Sequence, residues 1–276
     1  MAIDSREESF RHGAKSPKTY CPFGIFNPTS LFGEQLMWKL SLILSAGLLM
    51  VANQASATII AQDDFNYANG TLHGNGTAGA GWAGGWVLGT GSGVSVANGA
   101  VTNNTDNQRT QRNLTDTQGT DNTTVFIGFD HEFGTHFSAI EFNLGDANDT
   151  NFRLEFNNGF LSGSQFRAHA AGGDQIAVVN EAGIRRYVIE VDYGVGDADT
   201  ATLYDNGAVV GSISTTSTGG LAFNQVSLGA FGGGILNFTD NLVIATTFNE
   251  AALIPEASSL AMLAFGAIGL WLFRRK

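Results

Sequence analysis

The sequence predicts an all-β body, a sandwich of two packed antiparallel sheets, set between two apolar segments at the ends of the chain. Three observations point there. Helical periodicity is scarce between residues 58 and 252. Short apolar runs recur between Gly, Asn and Asp turn signals. The longest run alternates: Tyr187, Ile189, Val191 and Tyr193 share one face, and Val188, Glu190 and Asp192 share the other, the period of two that a half-buried strand requires.

Residues 1–36 mix charges, hold three of the four prolines and the lone cysteine, and show no clear period. They read as an upstream or disordered extension, with Met37 as the start of the exported chain. Residues 37–57 carry Lys39, an apolar stretch, and then Ala55-Ser56-Ala57. That order of cation, apolar core and small-residue cleavage site is that of a secretory signal peptide.

The body, residues 58–254, contains 20 Asp and Glu against 6 Arg, with no Lys and no Cys. A surface this acidic excludes nucleic acid as a partner, since phosphate neutralisation needs clustered cations. No disulfide framework is available, and a body of this length buries a sufficient core without one. The candidate strands are 58–61, 84–88, 94–97, 124–129, 138–144, 152–156, 165–170, 175–179, 186–193, 200–204, 208–214, 225–229 and 238–246. Asp205-Asn206-Gly207 reads as a hairpin turn, because Asn-Gly accepts positive φ. The Gly/Ala-rich segment 68–85, with Trp82 inside it and Trp86 just beyond, reads as a long ordered loop. The Asn/Thr-rich segment 98–123 reads as loop with a weak strand inside.

Beyond residue 253 the chain runs Pro255-Glu256-Ala257, an apolar span over 258–273, then Arg274-Arg275-Lys276. As a helix that span is roughly 24 Å long, slightly short of a ~30 Å hydrocarbon core. The terminal cations favour the cytoplasmic side. These residues resemble the PEP-CTERM sorting signal, with Ala257 where the motif usually has Pro. The resemblance implies membrane retention by the tail, processing near Pro255-Glu256 by an exosortase-type enzyme, and delivery to the cell surface, outer membrane or matrix. The body resembles concanavalin A-like (laminin G-like) jelly rolls. The resembling residues are Asp63-Asp64-Phe65-Asn66-Tyr67, Gly81-Trp82 and Gly85-Trp86, then residues 187–193, Asp197-Ala198-Asp199, Thr202-Leu203-Tyr204 and the 205–207 turn, and the closing run 238–244. The implied domain is a jelly roll over 58–252, followed by a sorting tail over 253–276.

Several residues are candidates for chemistry. Glu190 and Asp192 lie two apart on one strand face, as paired glycosidase carboxylates would, but a third acid is missing and an exposed polar stripe is favoured. Asp63 on the first strand and Asp240 on the last are candidate ligands for a structural Ca²⁺, a cation that takes oxygen donors. Asp192, Asp197 and Asp199 are a second such group, with turn chemistry as the competing explanation. Trp82 and Trp86, with Tyr67 and Tyr204, are candidate stacking platforms for sugars, although plugging the end of the sandwich is favoured for the tryptophans. Residues 74–79 spell G-x-G-x-x-G without the strand and helix that a dinucleotide site needs. His131 and His136 lack a third zinc ligand. The leading expectation is a non-catalytic surface or matrix protein contacting polysaccharide. A glycan hydrolase or lyase on the same fold, and a spacer without a ligand, are the alternatives.

Overall fold

The computed structural model describes residues 57–102, 108–132, 137–145, 150–158, 163–168, 174–215, 219–230 and 238–253. Residues 1–36, the signal segment up to Ser56 (Ala55 included) and the tail from 254 onward lie outside the described residues. Pro255, Glu256, Ala257, Arg274, Arg275 and Lys276 are therefore among those not described. Within the described residues no helix is long and apolar enough to cross a membrane.

In chain order the strands begin with β1 (Ile59–Asp63), β2 (Gly70–Thr71), β3 (Val87–Thr90), β4 (Ser95–Ala97), β5 (Ala100–Thr102) and β6 (Gln108–Gln118). Next come β7 (Thr123–Glu132), β8 (Ser138–Asn143), β9 (Thr150–Asn158), β10 (Gly163–Ala168) and β11 (Gln175–Val178). β12 (Ile184–Tyr193), β13 (Asp199–Asp205), β14 (Ala208–Thr215), β15 (Phe223–Ala230) and β16 (Phe238–Ala245) complete the strands, and α1 (Phe248–Ala251) is a single turn after them.

Two antiparallel sheets result. The nine-stranded sheet runs β14-β13-β12-β7-β16-β5-β4-β2, with β1 also paired to β16. The seven-stranded sheet runs β11-β10-β9-β8-β15-β6-β3. The first and last strands are neighbours, with Asp63 opposite Leu242. The hairpin between β13 and β14 turns at Asn206 and Gly207, with φ of 46° and 82°, the pair of positive angles that Asn-Gly accepts.

The inner faces of both sheets form one apolar core. Tyr187, Ile189, Val191 and Tyr193 of β12 are all buried in it, as their alternation predicts. Phe142, Phe152 and Phe223 of the seven-stranded sheet pack as a trio, with ring centroids 4.5 to 5.6 Å apart. Phe156 crosses between the sheets to Tyr187 at 5.6 Å and to the His131 ring at 3.7 Å. Each such ring contributes roughly 1.5–3 kcal/mol through burial. Helix α1 lies on the other face of the nine-stranded sheet. Phe248 contacts Phe126 and Tyr204 there, and Arg186 Nε donates to the Ala251 carbonyl at 2.9 Å. Gly128 permits that approach, since a Cβ at this position would lie 1.8 Å from the Ala251 oxygen.

The sequence reading departs from the structure mainly at β6. The segment read as loop with a weak strand holds an eleven-residue strand, paired between β15 and the edge strand β3 in the seven-stranded sheet. Apart from Leu114 its residues are polar on both faces, so it has no hydrophobic alternation to announce it.

Candidate functional site

Asp63, Trp82 and Trp86 come together at the corner where β1 meets the loop before β3. The residue that joins them, Arg112 of β6, was not singled out by the sequence. Asp63 is 5% exposed. Its Oδ2 accepts from the Arg112 guanidinium, from Tyr67 Oη at 2.8 Å and from Trp86 Nε1 at 2.8 Å, and its Oδ1 accepts the Phe65 N–H at 2.9 Å. Arg112 also donates to the carbonyls of Gly84 and Thr77, both at 2.9 Å. Its guanidinium lies 4.5 Å from the Trp82 ring centre, within cation–π range. Trp82 Nε1 donates to the Gln62 carbonyl at 2.8 Å.

These contacts bear on two expectations: the tryptophans take the plugging role favoured over sugar stacking, and the Asp63 carboxylate is held by protein donors. Trp82 and Trp86 are each 1% exposed, so neither ring offers a face to a sugar. They plug the end of the sandwich. Asp63 meets a cation, but that cation is Arg112, and both carboxylate oxygens are occupied. A cavity of about 450 Å³ adjoins the corner, lined by Asp64, Tyr67, Thr77 and Trp82 among others.

Asp240 is on the adjacent strand, and its Oδ1 accepts the Asn241 N–H at 2.7 Å. Burial raises its carboxyl above the usual range. The Asn241 N–H opposes the rise, while the charges of Asp130, Asp64 and Asp63 add to it. Among the described residues no group of three or more His, Cys, Asp or Glu side chains is placed to hold a metal ion. The other aspartates follow turn chemistry: Asp199 accepts the N–H groups of Gly194 at 3.0 Å and Leu221 at 2.7 Å, and Asp197 accepts that of Gly219 at 3.0 Å. Glu190 and Asp192 share the outward face of β12, as their spacing requires. Glu190 accepts from Tyr204 Oη at 2.5 Å, and Asp192 accepts from Thr124 Oγ1 at 2.6 Å.

The richest polar constellation lies elsewhere, on the face of the seven-stranded sheet turned away from the core. Alternation places Arg109, Gln111 and Asn113 of β6 on that face, with Gln225 and Ser227 of β15 and Glu141 and Asn143 of β8. Arg153 and Glu155 of β9, and Gln165 and Arg167 of β10, complete it. Register aligns Gln111, Ser227, Glu141, Arg153 and Arg167 across five strands. The charged groups alternate in sign. Arg109 pairs with Glu141 at 2.6 Å, Glu141 with Arg153 at 3.2 Å, Arg153 with Glu155 at 2.5 Å, and Glu155 with Arg167 at 2.7 Å.

Both carboxylates are fully buried, whereas the arginine side chains keep 11 to 16% exposure. Burial pushes the Glu141 carboxyl above its usual range, against the pull of Arg109 and Arg153. Asn143 Nδ2 donates to Ser227 Oγ at 2.8 Å and to Gln225 Oε1 at 3.2 Å, and Gln225 Nε2 donates to Asn113 Oδ1 at 2.8 Å. Among the described residues, Gln111 Oε1, Asn143 Oδ1, Arg153 Nε and Arg167 Nε are buried polar atoms on this face without a hydrogen-bond partner. Buried polar groups are ordinarily hydrogen-bonded, so hydrogen-bonding capacity is left over beneath the partly exposed Arg109, Gln111, Arg153 and Arg167 side chains.

No protein-family model matches the chain, and no curated protein sequence matches it at a significant level. Among solved structures, the chain is similar to the alginate lyase Aly36B in complex with alginate trisaccharide, at 14% identity and a TM-score of 0.43, covering 69% of this chain and 100% of that one. It is similar to the endo-β-1,4-glucuronan lyase of the fungus Trichoderma reesei at 14% identity and a TM-score of 0.43, covering 70% and 98%. It is also similar to the carbohydrate recognition domain of Emp47p at 11% identity and a TM-score of 0.42, covering 70% and 97%. At such identities neither substrates nor residue roles carry across.

Proposed function

We propose that this chain is an exported, non-catalytic surface or matrix protein whose concanavalin A-like jelly roll contacts exopolysaccharide through the polar face of its seven-stranded sheet. Export rests on the apolar segment before Ala57. Sorting by an exosortase-type enzyme rests on Pro255-Glu256, the apolar span and Arg274-Arg275-Lys276. The observation that carries the binding reading is the polar ladder across β6, β9 and β10, where Arg109, Gln111, Arg153, Gln165 and Arg167 keep partly exposed side chains side by side on one sheet face. A polysaccharide hydroxyl both donates and accepts, so it can pair with the Gln111 and Gln165 amides and with the guanidinium N–H groups of this face.

Affinity gel electrophoresis against a panel of neutral and acidic polysaccharides tests the proposal. Retardation by at least one polymer, lost in Gln111→Ala, is the expected result. No retardation by any polymer contradicts it and leaves a matrix spacer. Intact-mass analysis of the protein from the surface fraction tests the processing: the expected chain begins at Thr58 and ends near Pro255-Glu256, and a mass that includes residues 1–36 refutes export.

One observation favours a second reading, a glycan-active enzyme. A carboxyl raised by burial, as at Glu141, is what a general acid requires. Yet both its oxygens face arginines, which suits a structural rung better than a proton donor. Release of reducing ends or unsaturated sugars, abolished by Glu141→Gln, would establish the enzymatic reading.

A further inference from the structure

We infer that the ligand of the polar face is a carboxylated polysaccharide, a polymer of uronate type, held by Arg153 and Arg167. The inference rests on the binding reading above and adds the chemical class of the ligand. It follows from where this acidic body places its cations.

Of the six arginines in residues 58–254, three are consumed elsewhere. Arg112 is buried against Asp63. Arg185 bridges Glu181 and Asp205, and Arg186 pairs with Asp130. The other three, Arg109, Arg153 and Arg167, stand on one sheet face with Glu141 and Glu155 between them. Among the described residues of that ladder, three guanidinium groups meet two carboxylates. The body as a whole carries fourteen more acids than arginines, 20 − 6 by count. A polyanion is therefore repelled by most of this surface and accepted on this face, a charge contrast that selects orientation as well as partner.

The geometry agrees with the charge. Arg153 and Arg167 keep 16% and 13% of their side chains exposed, and Arg153 stands opposite Arg167 in register. A guanidinium recognises carboxylate through paired N–H groups. The ladder crosses β6, β15, β8, β9 and β10, about 19 Å at the usual strand spacing, so it addresses a run of sugars rather than one. The partly exposed Gln111 then meets the hydroxyls of the same chain.

The test compares polygalacturonate with the same polymer after reduction of its carboxyl groups to alcohols. Binding of the full chain is measured by isothermal titration in EDTA, which removes cation bridging between polymer and protein. The expected result is that polygalacturonate binds and the reduced polymer binds about tenfold more weakly or worse, the scale of a lost charge-assisted hydrogen bond. Arg167→Gln weakens polygalacturonate by a similar factor. Glu155→Gln removes a competing carboxylate, raises the excess charge and strengthens binding. That second variant keeps the test decisive where Arg167→Gln fails to fold, and near-UV circular dichroism checks both. Equal binding of the two polymers, or polygalacturonate affinity unmoved by either variant, overturns the ligand class while leaving glycan binding intact. Binding of neither polymer nor any other glycan overturns both.

Discussion

Replacing Arg112 by Met tests the corner most sharply. The substitution keeps most of the side-chain volume and removes the charge. Asp63 is then left as a buried anion with three neutral donors, the Phe65 N–H, Tyr67 Oη and Trp86 Nε1. The carbonyls of Thr77 and Gly84 each lose their guanidinium hydrogen bond. Removing one partner of a buried ion pair costs about 3–5 kcal/mol. For a body of this size each kcal/mol lowers Tm by about 2–4 °C, so the expected loss is roughly 6–20 °C. The double variant Asp63→Asn with Arg112→Met removes the stranded charge and should recover a large part of that loss. Thermal unfolding followed by near-UV circular dichroism reads both, because Trp82 and Trp86 pack against the substituted group. An Arg112→Met variant within about 0.5 kcal/mol of the parent, or a double variant as damaged as the sum of the singles, refutes the reasoning.

Three further predictions follow from burial and close approach. His131 is buried against Phe156, with Nδ1 3.0 Å from Thr239 Oγ1, and burial lowers its pKa to about 3. The folded state then binds fewer protons than the unfolded one below pH ~6.5, so stability should fall with acidification from there towards pH 3, by at most ~1.4 kcal/mol per pH unit. His131→Gln should flatten that slope in urea titrations, and parallel curves would show the account of His131 to be wrong. Glu141 works in the opposite sense: a raised carboxyl favours the folded state below its unfolded pKa, and that benefit is lost as pH rises through the folded value. The stability of Glu141→Gln relative to the parent should therefore improve as pH rises from 4 to 7; a flat difference would contradict it. Gly81 has φ of +86°, and a Cβ there would lie 1.7 Å from the Ile60 carbonyl oxygen. Gly81→Ala should cost about 2–5 kcal/mol through strain and overpacking, whereas Gly84→Ala, with open space around it, should be nearly silent.

Strand periodicity made most of the fold legible. β12 alternates cleanly because one face enters the core, and its neighbours β13 and β14 are joined by an Asn-Gly turn that sequence alone identifies. The polar face was not legible, for a physical reason. β6 places Arg109, Gln111 and Asn113 on the outer face and Thr110 and Arg112 among the inward residues, so neither face carries the apolar signal by which strands are recognised. Glu141, Arg153, Glu155 and Arg167 sit singly in four different stretches of chain, and only register across β8, β9 and β10 makes them a ladder. The corner residues illustrate the converse. Asp63, Trp82 and Trp86 stood out as chemistry-bearing types and do assemble, but around a buried arginine, where their polar atoms serve stability.

The most direct test of polysaccharide binding at the polar face is a crystal structure of the chain with a bound oligosaccharide. The account predicts sugar hydroxyls within hydrogen-bonding distance of the Gln111 side chain, and a sugar carboxylate on the guanidinium groups of Arg153 and Arg167. A sugar seated in the cavity beside Asp64 and Thr77, or against Glu190 on the opposite sheet, with the polar face bare, would contradict it.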